Sequence, residues 1–380
     1  MKMSYMQRAI LLSTLSLSSA AYAQHGGGDT STSVTLYGVL DIGAGRFKGA
    51  PTGVTSTDKA ISRVESGNLT TSYWGLRGSE DLGDGLSAIF ALESFLRNDT
   101  GQIGRSDAVS TPALSVSADP FWARSAWVGL DSRNLGRIRF GQITTALWIS
   151  SLKSNPFGDS TAFSPINLLM FINAPSIFAG GTGWSNSVSY DSPTWSGLSF
   201  NLQGALGEGS GGRNAGGRLA YAGGPFTASF AYTDVKADPL TFAQGTTRSN
   251  TKNSLLALGY ELPWVKLFAH LGRIKTDGSN TGSPTDNNVR HDIWELSALV
   301  PIGFGNILLG YGERKGNETL SPQTSRKLGA LGYTYSLSKR TDLYALLRSD
   351  KSTVQSPPGL LTSTSSASGT SSAFGIRHVF

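Results

Sequence analysis

The side chains that most often make and break bonds are sparse and badly spaced in this sequence. Its four histidines, His25, His270, His291 and His378, form no pair at metal-ligand spacing, and no His-Glu-x-x-His run occurs. Cysteine is absent, which removes disulfide scaffolds and Cys-based zinc sites. Gly181-x-Gly183 and Gly207-x-Gly209 lack the strand-turn-helix context of a phosphate-binding loop and read as loop glycines. A Ser/His/Asp set assembled only in three dimensions would leave no local trace, and nothing here marks one. No cofactor or metal is expected. What does recur is charge at strand spacing. Arg137 and Arg139 alternate with Ile138 and Phe140, and Arg77 closes the run Tyr73-Trp74-Gly75-Leu76-Arg77. At a period of two, the parity that sends Ile138 and Phe140 to one face turns Arg137 and Arg139 to the other, and Trp74 with Leu76 leaves Tyr73 and Arg77 opposite. Such a row of cations sets an electric field and leaves covalent bonds alone. The plainer role for each Arg is a rim charge or a side chain snorkelling to water.

Period two runs through the whole chain. Leu198, Phe200 and Leu202 alternate with Ser199, Asn201 and Gln203, and Trp294, Leu296 and Ala298 alternate with Ile293, Glu295 and Ser297. Strands are predicted at 33–47, 72–81, 85–97, 123–131, 136–144, 185–192, 197–206, 215–223, 225–236, 251–262, 265–276, 290–301, 305–315, 325–337, 341–352 and 371–380, sixteen in all. Their connections alternate. Tight turns at Gly83-Asp84-Gly85, Arg133-Asn134-Leu135, Pro193-Thr194-Trp195, Gly223-Gly224, Pro263-Trp264, Gly303-Phe304 and Ser338-Lys339-Arg340 are interleaved with long polar loops. An antiparallel up-and-down sheet puts every tight turn at one end, and a membrane barrel inserted from the periplasm requires that asymmetry.

Composition agrees. Of 380 residues only 15% are charged, against roughly 25% for a soluble domain, while Gly reaches 47. Residues facing lipid are costly to ionise, at roughly +2 to +4 kcal/mol for Arg or Lys at midplane. The formal net charge of +6 is a mild, unclustered excess that gives no support to nucleic-acid binding. Residues 1–23 look like a cleaved leader: Lys2 and Arg8 flank a short apolar run, and Ala21-Tyr22-Ala23 is a small-x-small cleavage site. Residues 24–380 then form a single barrel domain. A secreted soluble β protein, a sandwich or adhesin, is the alternative of a different class, but its outward positions should be polar rather than Leu, Val, Ala, Trp and Tyr.

In order along the chain, Val34-Thr35-Leu36-Tyr37-Gly38-Val39-Leu40-Asp41, Trp74-Gly75-Leu76-Arg77-Gly78-Ser79-Glu80-Asp81-Leu82-Gly83, Ala88-Ile89-Phe90-Ala91-Leu92-Glu93-Ser94 and Arg124-Ser125-Ala126-Trp127-Val128-Gly129-Leu130 form a recognisable series. Gly136-Arg137-Ile138-Arg139-Phe140-Gly141-Gln142, Asn186-Ser187-Val188-Ser189-Tyr190, Tyr333-Thr334-Tyr335-Ser336-Leu337-Ser338-Lys339-Arg340-Thr341 and Phe374-Gly375-Ile376-Arg377-His378-Val379-Phe380 complete it. The series resembles the general porins of Gram-negative outer membranes, particularly the β-proteobacterial branch, over nearly all of the mature chain.

The resemblance implies an all-β, sixteen-stranded transmembrane barrel, usually a homotrimer, in outer-membrane lipid and lipopolysaccharide. Its water-filled channel would be narrowed by a third loop, here about 145–184, folded inward. Asn155-Pro156-Phe157-Gly158-Asp159 is similar to the family's loop-tip motif, which brings Asp159 to the narrowing. Arg124 matches a constriction arginine and Glu93 a nearby carboxylate, joining Arg77, Arg137 and Arg139 from the parity argument. Residues 160–190 carry no charge, and Ile166, Leu168, Leu169, Met170, Phe171 and Ile172 would make a poor solvated loop, so burial against the inner wall is expected. Two departures matter. Tyr73 and Gly183-Trp184 stand where relatives often carry Arg, so the eyelet should be more aromatic and weaker in anion preference. The implied function is passive diffusion of small solutes and ions. The runner-up is a substrate-specific channel for small organic or aromatic anions. Terminal Phe380 resembles the signal read by the outer-membrane assembly machinery.

Overall fold

The computed structural model describes residues 32–48, 59–105, 120–171, 181–207, 213–236, 240–242, 245–280, 287–318, 323–355 and 364–380. The expected leader, His25, Ile172 and Gly209 lie outside them. Among the described residues sixteen long strands build the wall: β1 (Ser33–Phe47), β2 (Tyr73–Gly83), β3 (Leu86–Arg97), β4 (Ser125–Ser132), β5 (Gly136–Thr144), β6 (Gly183–Asp191), β7 (Leu198–Ala205) and β8 (Asn214–Gly223). The second half follows as β9 (Phe226–Lys236), β10 (Gly245–Leu262), β11 (Val265–Asn280), β12 (Asn287–Ile302), β13 (Gly305–Glu318), β14 (Gln323–Ser336), β15 (Thr341–Gln355) and β16 (Thr364–Val379). Every expected strand has its counterpart. Three short segments that the periodicity did not show, Ile61–Ser66, Gln102–Ile103 and Leu240–Phe242, extend the sheet at its long-loop end.

Each wall strand runs antiparallel to its neighbours, and the sheet closes where β1 pairs with β16 from Val39↔Val379 to Arg46↔Ser372. Closure leaves no open edge, so backbone N–H and C=O groups are paired without a spanning helix. At the seam the Gly38 and Phe380 backbones exchange N–H···O bonds of 3.2 and 3.1 Å. A Cβ on Gly38 would collide with the Tyr73 carbonyl and the Phe380 ring. The seven tight turns fall where expected. The first holds Gly83, Asp84 and Gly85 at φ of +89°, +51° and +75°, a left-handed run that glycine tolerates.

Burial is inverted relative to a soluble protein. Val34, Leu36, Val128, Phe140, Leu202, Leu271, Leu296 and Phe374 are exposed on the outer face. Asp41, Gln203, Asn253, His270, Glu295, Arg326 and Asp350 are buried on the inner one. No helix among the described residues is long and apolar enough to cross a membrane. The strands do so instead.

The third long loop is the main departure from a plain cylinder. It holds two helices, α1 (Ala146–Lys153) and α2 (Pro165–Phe171), which the strand periodicity did not show. Thr145 caps α1, its Oγ1 accepting from the Trp148 N–H at 3.2 Å. Helical turns pair backbone groups internally in a place where the segment's apolar side chains must be buried. These helices run only eight and seven residues, too short for a period of 3.6 to stand out beside the strands. The first lies against β7–β10 and the second against β11–β14, so the segment spans the bore along its inner wall. Ile166, Leu168, Leu169 and Met170 bury against Ala231, Leu255, Ile274, Ile293 and Leu328, while Phe157 and Phe163 join Leu308, Tyr344 and Leu346. Gly310 and Gly312 on β13 make room, since a Cβ there would press on Pro165 and Leu169 respectively.

Candidate functional site

A ladder of cations and rings climbs the inner wall across the first three strands. Because Val34 and Leu36 face outward, β1 turns Tyr37 inward, and register places β2 beside it with Tyr73 and Arg77 on the same side. The Arg77 guanidinium lies over the Tyr37 ring at 4.6 Å, and Tyr37 meets Tyr73 edge-on at 6.1 Å. Arg124, one residue before β4, sits over Tyr73 at 3.9 Å and beside Phe95 at 5.7 Å; Arg105 covers Phe95 at 4.9 Å. Guanidinium planes on aromatic faces hold these cations without cancelling their charge.

Carboxylates do cancel part of it. Glu93 accepts from the Tyr37 hydroxyl at 2.5 Å and lies 3.2 Å from Arg124 Nε. Asp159 at the loop tip faces the same guanidinium across a cleft lined by Thr71, Phe95, Arg105, Thr144, Trp148, Thr161 and Thr182. Arg105 donates to Thr182 Oγ1 at 2.7 Å. This narrow, cationic and hydroxyl-rich cleft lies between wall and loop.

The loop that completes the site is clamped from the opposite wall. Arg314 and Arg326 donate to the Leu169 and Leu168 carbonyls in the last turn of α2, at 2.8 and 3.3 Å, where the helix dipole favours cations. Arg348 donates to the Ala162 carbonyl, and Ser160 Oγ donates to the Asn68 carbonyl at 2.6 Å. At the end of α1, Ser154 Oγ, His270 Nε2, His270 Nδ1 and Glu295 Oε2 form a chain at 2.9 and 2.6 Å, all buried. Ser154 also donates to the Ser150 carbonyl at 2.5 Å. The imidazole thus bridges a loop hydroxyl and a wall carboxyl through its two ring nitrogens. Asp41 performs a related task on β1, accepting from the Asn68, Leu69 and Thr70 N–H groups and from Tyr344 Oη.

Of the residues expected from sequence, Tyr73, Arg77, Glu93, Arg124 and Asp159 come together. Arg137 and Arg139 face inward on another part of the wall. Arg137 pairs with Asp131 at 3.0 Å beside a tight turn and is a rim charge; Arg139 pairs with Asp191 at 2.6 Å. Trp184 packs with Ala205 and Val235, so the loop's aromatic contribution to the cleft is Trp148 instead. Tyr37, Phe95, Arg105 and Trp148 were missed. Parity with Leu36 would have placed Tyr37, and parity with Glu93 would have placed Phe95; Arg105 and Trp148 sit in connections without strand periodicity. Among the described residues no group of His, Cys, Asp or Glu could hold a metal.

A closed wall with an apolar exterior, a polar bore and an inward loop is matched by sequence comparison, in which the profile of the Gram-negative porin family covers residues 9–354. The chain belongs to that family. It is 28% identical to the outer membrane porin protein 32 of Delftia acidovorans, over 98% of this chain and 99% of that one. An outer membrane porin protein of Bordetella pertussis is 27% identical, over 90% and 93%. Among solved structures, an anion-selective porin from Comamonas acidovorans superposes with a TM-score of 0.70 at 24% identity, covering 92% of this chain and all of that one. This porin is therefore an outer-membrane channel, which displaces the soluble adhesin reading.

Proposed function

We propose that this porin is a water-filled diffusion channel for small hydrophilic solutes and ions with a weak preference for anions, narrowed by Tyr73, Arg77, Glu93, Arg124 and Asp159. The observation that carries this reading is the pairing of the wall arginines. Arg124, Arg137 and Arg139 each have a carboxylate within 3.2 Å. A cation so paired contributes a weak field to a wet bore, and screening weakens it further. Among the described residues Arg77 has no such partner, and the balance stays positive. The anion-selective relative from Comamonas supports the sign. A planar-bilayer reversal potential in asymmetric KCl tests this: a small anion preference is expected, and strong selectivity for either ion refutes it.

The cleft of Arg105, Arg124, Phe95 and Trp148 favours a second reading, a saturable step for small organic anions. Conductance titrated with benzoate or acetate separates the two, since only a specific channel is blocked at low concentration. The Ser154–His270–Glu295 chain supports no hydrolase reading, because the serine hydroxyl is buried and its hydrogen is directed to a backbone carbonyl. The assembled form we infer is a homotrimer of residues 24–380, freed of the leader, with Phe380 read by the assembly machinery and the apolar belt against lipid and lipopolysaccharide.

A further inference from the structure

The outer face of the wall carries a groove of ≈ 630 Å³ between β13 and β1, and its lining side chains Leu331, Tyr333, Leu347 and Phe374 are all exposed. Register explains its shape. Ile307, Tyr333, Ala345, Phe374 and Ala44 are successive partners on β13, β14, β15, β16 and β1, so two rings flank a floor made by the methyl of Ala345. From the lumen side Leu346 and Ala373 pack in one cluster with Phe157 and Phe163, which closes the groove to the bore. Towards the long-loop end the floor stays small and then turns cationic. Ser349 has Gly329 and Thr370 as partners, and two residues further on the same face Lys351 lies opposite Lys327, both exposed. Like charges directly opposite one another on neighbouring strands repel. Glu313 relieves little of this, reaching Lys327 only at 3.9 Å while also holding Lys315 at 3.6 Å. Among the described residues Lys351 has no carboxylate within ion-pair distance, and neither has the exposed Arg46 across the groove, the partner of Ser372. No outward position of β13–β15 nearer the tight turns carries Lys or Arg. The six residues from Ala345 to Lys351 span about 20 Å of strand. At a tilt near 45° that is about 14 Å of depth, close to half of the roughly 30 Å hydrocarbon core.

We propose that this face is a docking site for the acylated, multiply phosphorylated glycolipid of the outer leaflet, lipopolysaccharide. One acyl chain lies in the groove between Tyr333 and Phe374, and headgroup phosphates meet Lys327 and Lys351 on one flank and Arg46 on the other. The long-loop ends of such barrels face the cell exterior, so these cations stand at outer-leaflet headgroups. A phosphate between Lys327 and Lys351 makes charge-assisted hydrogen bonds and removes the repulsion the bare pair carries. Cations on both flanks suit a headgroup with more than one phosphate, whereas a glycerophospholipid offers one. The site rests on the reading that the apolar belt meets lipid and lipopolysaccharide, and it names where the glycolipid sits; it does not depend on what the channel conducts.

The test uses the full-length protein refolded in detergent in the absence of lipopolysaccharide. Diphosphorylated lipid A, monophosphoryl lipid A and phosphatidylglycerol are each titrated against it by native mass spectrometry. The same titrations are run on Lys327→Gln with Lys351→Gln, on Lys351→Arg and on Ala345→Leu. Saturable binding of lipid A to the wild type is expected. Each lysine charge removed should weaken it about fivefold, so the double variant should bind about twentyfold more weakly, and Lys351→Arg should bind like the wild type. Ala345→Leu fills the floor without touching a charge and should weaken binding about fivefold. Equal binding of lipid A by the wild type and the double variant overturns the proposal, as does phosphatidylglycerol bound as tightly as lipid A. If the variants fail to refold, the wild type alone decides: monophosphoryl lipid A bound as tightly as the diphosphorylated form overturns the site. A wild type that binds none of these lipids and enters no bilayer overturns the membrane reading as well, whereas one that conducts KCl without preferring lipid A overturns this site alone.

Discussion

Ser154→Ala isolates the contribution of the α1 clasp to holding the loop in place. The hydroxyl of Ser154 bonds His270 and also donates to the Ser150 carbonyl, but only the first bond joins loop to wall. A net hydrogen bond contributes about 1 kcal/mol, so its loss should raise the population of the displaced loop about fivefold. His270→Ala is a different perturbation. His270 and Glu295 are register partners on β11 and β12, and both side chains are fully buried. Removing the imidazole leaves the buried Glu295 carboxyl without its hydrogen-bond partner, which costs about 1 to 3 kcal/mol, and most of that falls on the wall rather than on the loop. The two readouts therefore separate. Single-channel recordings of Ser154→Ala should show about fivefold more time in noisy, widened substates, with unchanged resistance of the folded barrel to heating in SDS. His270→Ala should show both the noise and an earlier gel shift on heating. Pairing His270→Ala with Glu295→Gln should restore part of the heat resistance, because the carboxyl that lost its partner is gone. Quiet recordings from Ser154→Ala, or His270→Ala as heat-resistant as Ser154→Ala, would refute the clasp.

Three further outcomes follow from the same geometry. Glu93→Gln removes the carboxylate facing Arg124, and a unit charge about 7 Å away through water is worth about 0.6 kcal/mol, in favour of the anion and against the cation alike, so the anion-to-cation permeability ratio should rise up to about sevenfold; Arg124→Gln should move it the other way, both read as reversal potentials. Gly310→Val on β13 places a branched side chain against Pro165 and Phe157, which should push α2 off the wall and enlarge single-channel conductance while leaving outer-membrane abundance near normal. Deleting Phe380 removes the seam residue whose backbone bonds Gly38 and should lower the yield of folded barrel in outer-membrane fractions more than the conductance of whatever folds.

Period two carried the wall into the sequence almost intact, and the reason is local. Whether Phe140 meets lipid and Arg139 meets water is decided within one strand, by two neighbouring residues that need opposite solvents, and tight turns such as Gly83-Asp84-Gly85 fix the reversal with three residues. The loop's burial was legible for a related reason: a long uncharged stretch with Leu168, Leu169 and Met170 has nowhere stable to go except against another surface. Partners across the bore are another matter. Arg326 and Leu168, or Ser154 and His270, stand 158 and 116 residues apart, and only the stagger at which the sheet closes brings them level. A two-residue change in that stagger would keep every side chain on its own face while exchanging which carbonyls the arginines grip. Parity thus places a side chain inside the bore without giving its depth, which is why Arg137 and Arg124 look alike in sequence yet one ends at the rim and the other on the ring of Tyr73. Selectivity in such a channel is set by depth and pairing, so carboxylates such as Glu93, Asp131 and Asp191 are the points where one substitution shifts it: removing any of them leaves the wall pattern untouched and frees a cation already in place.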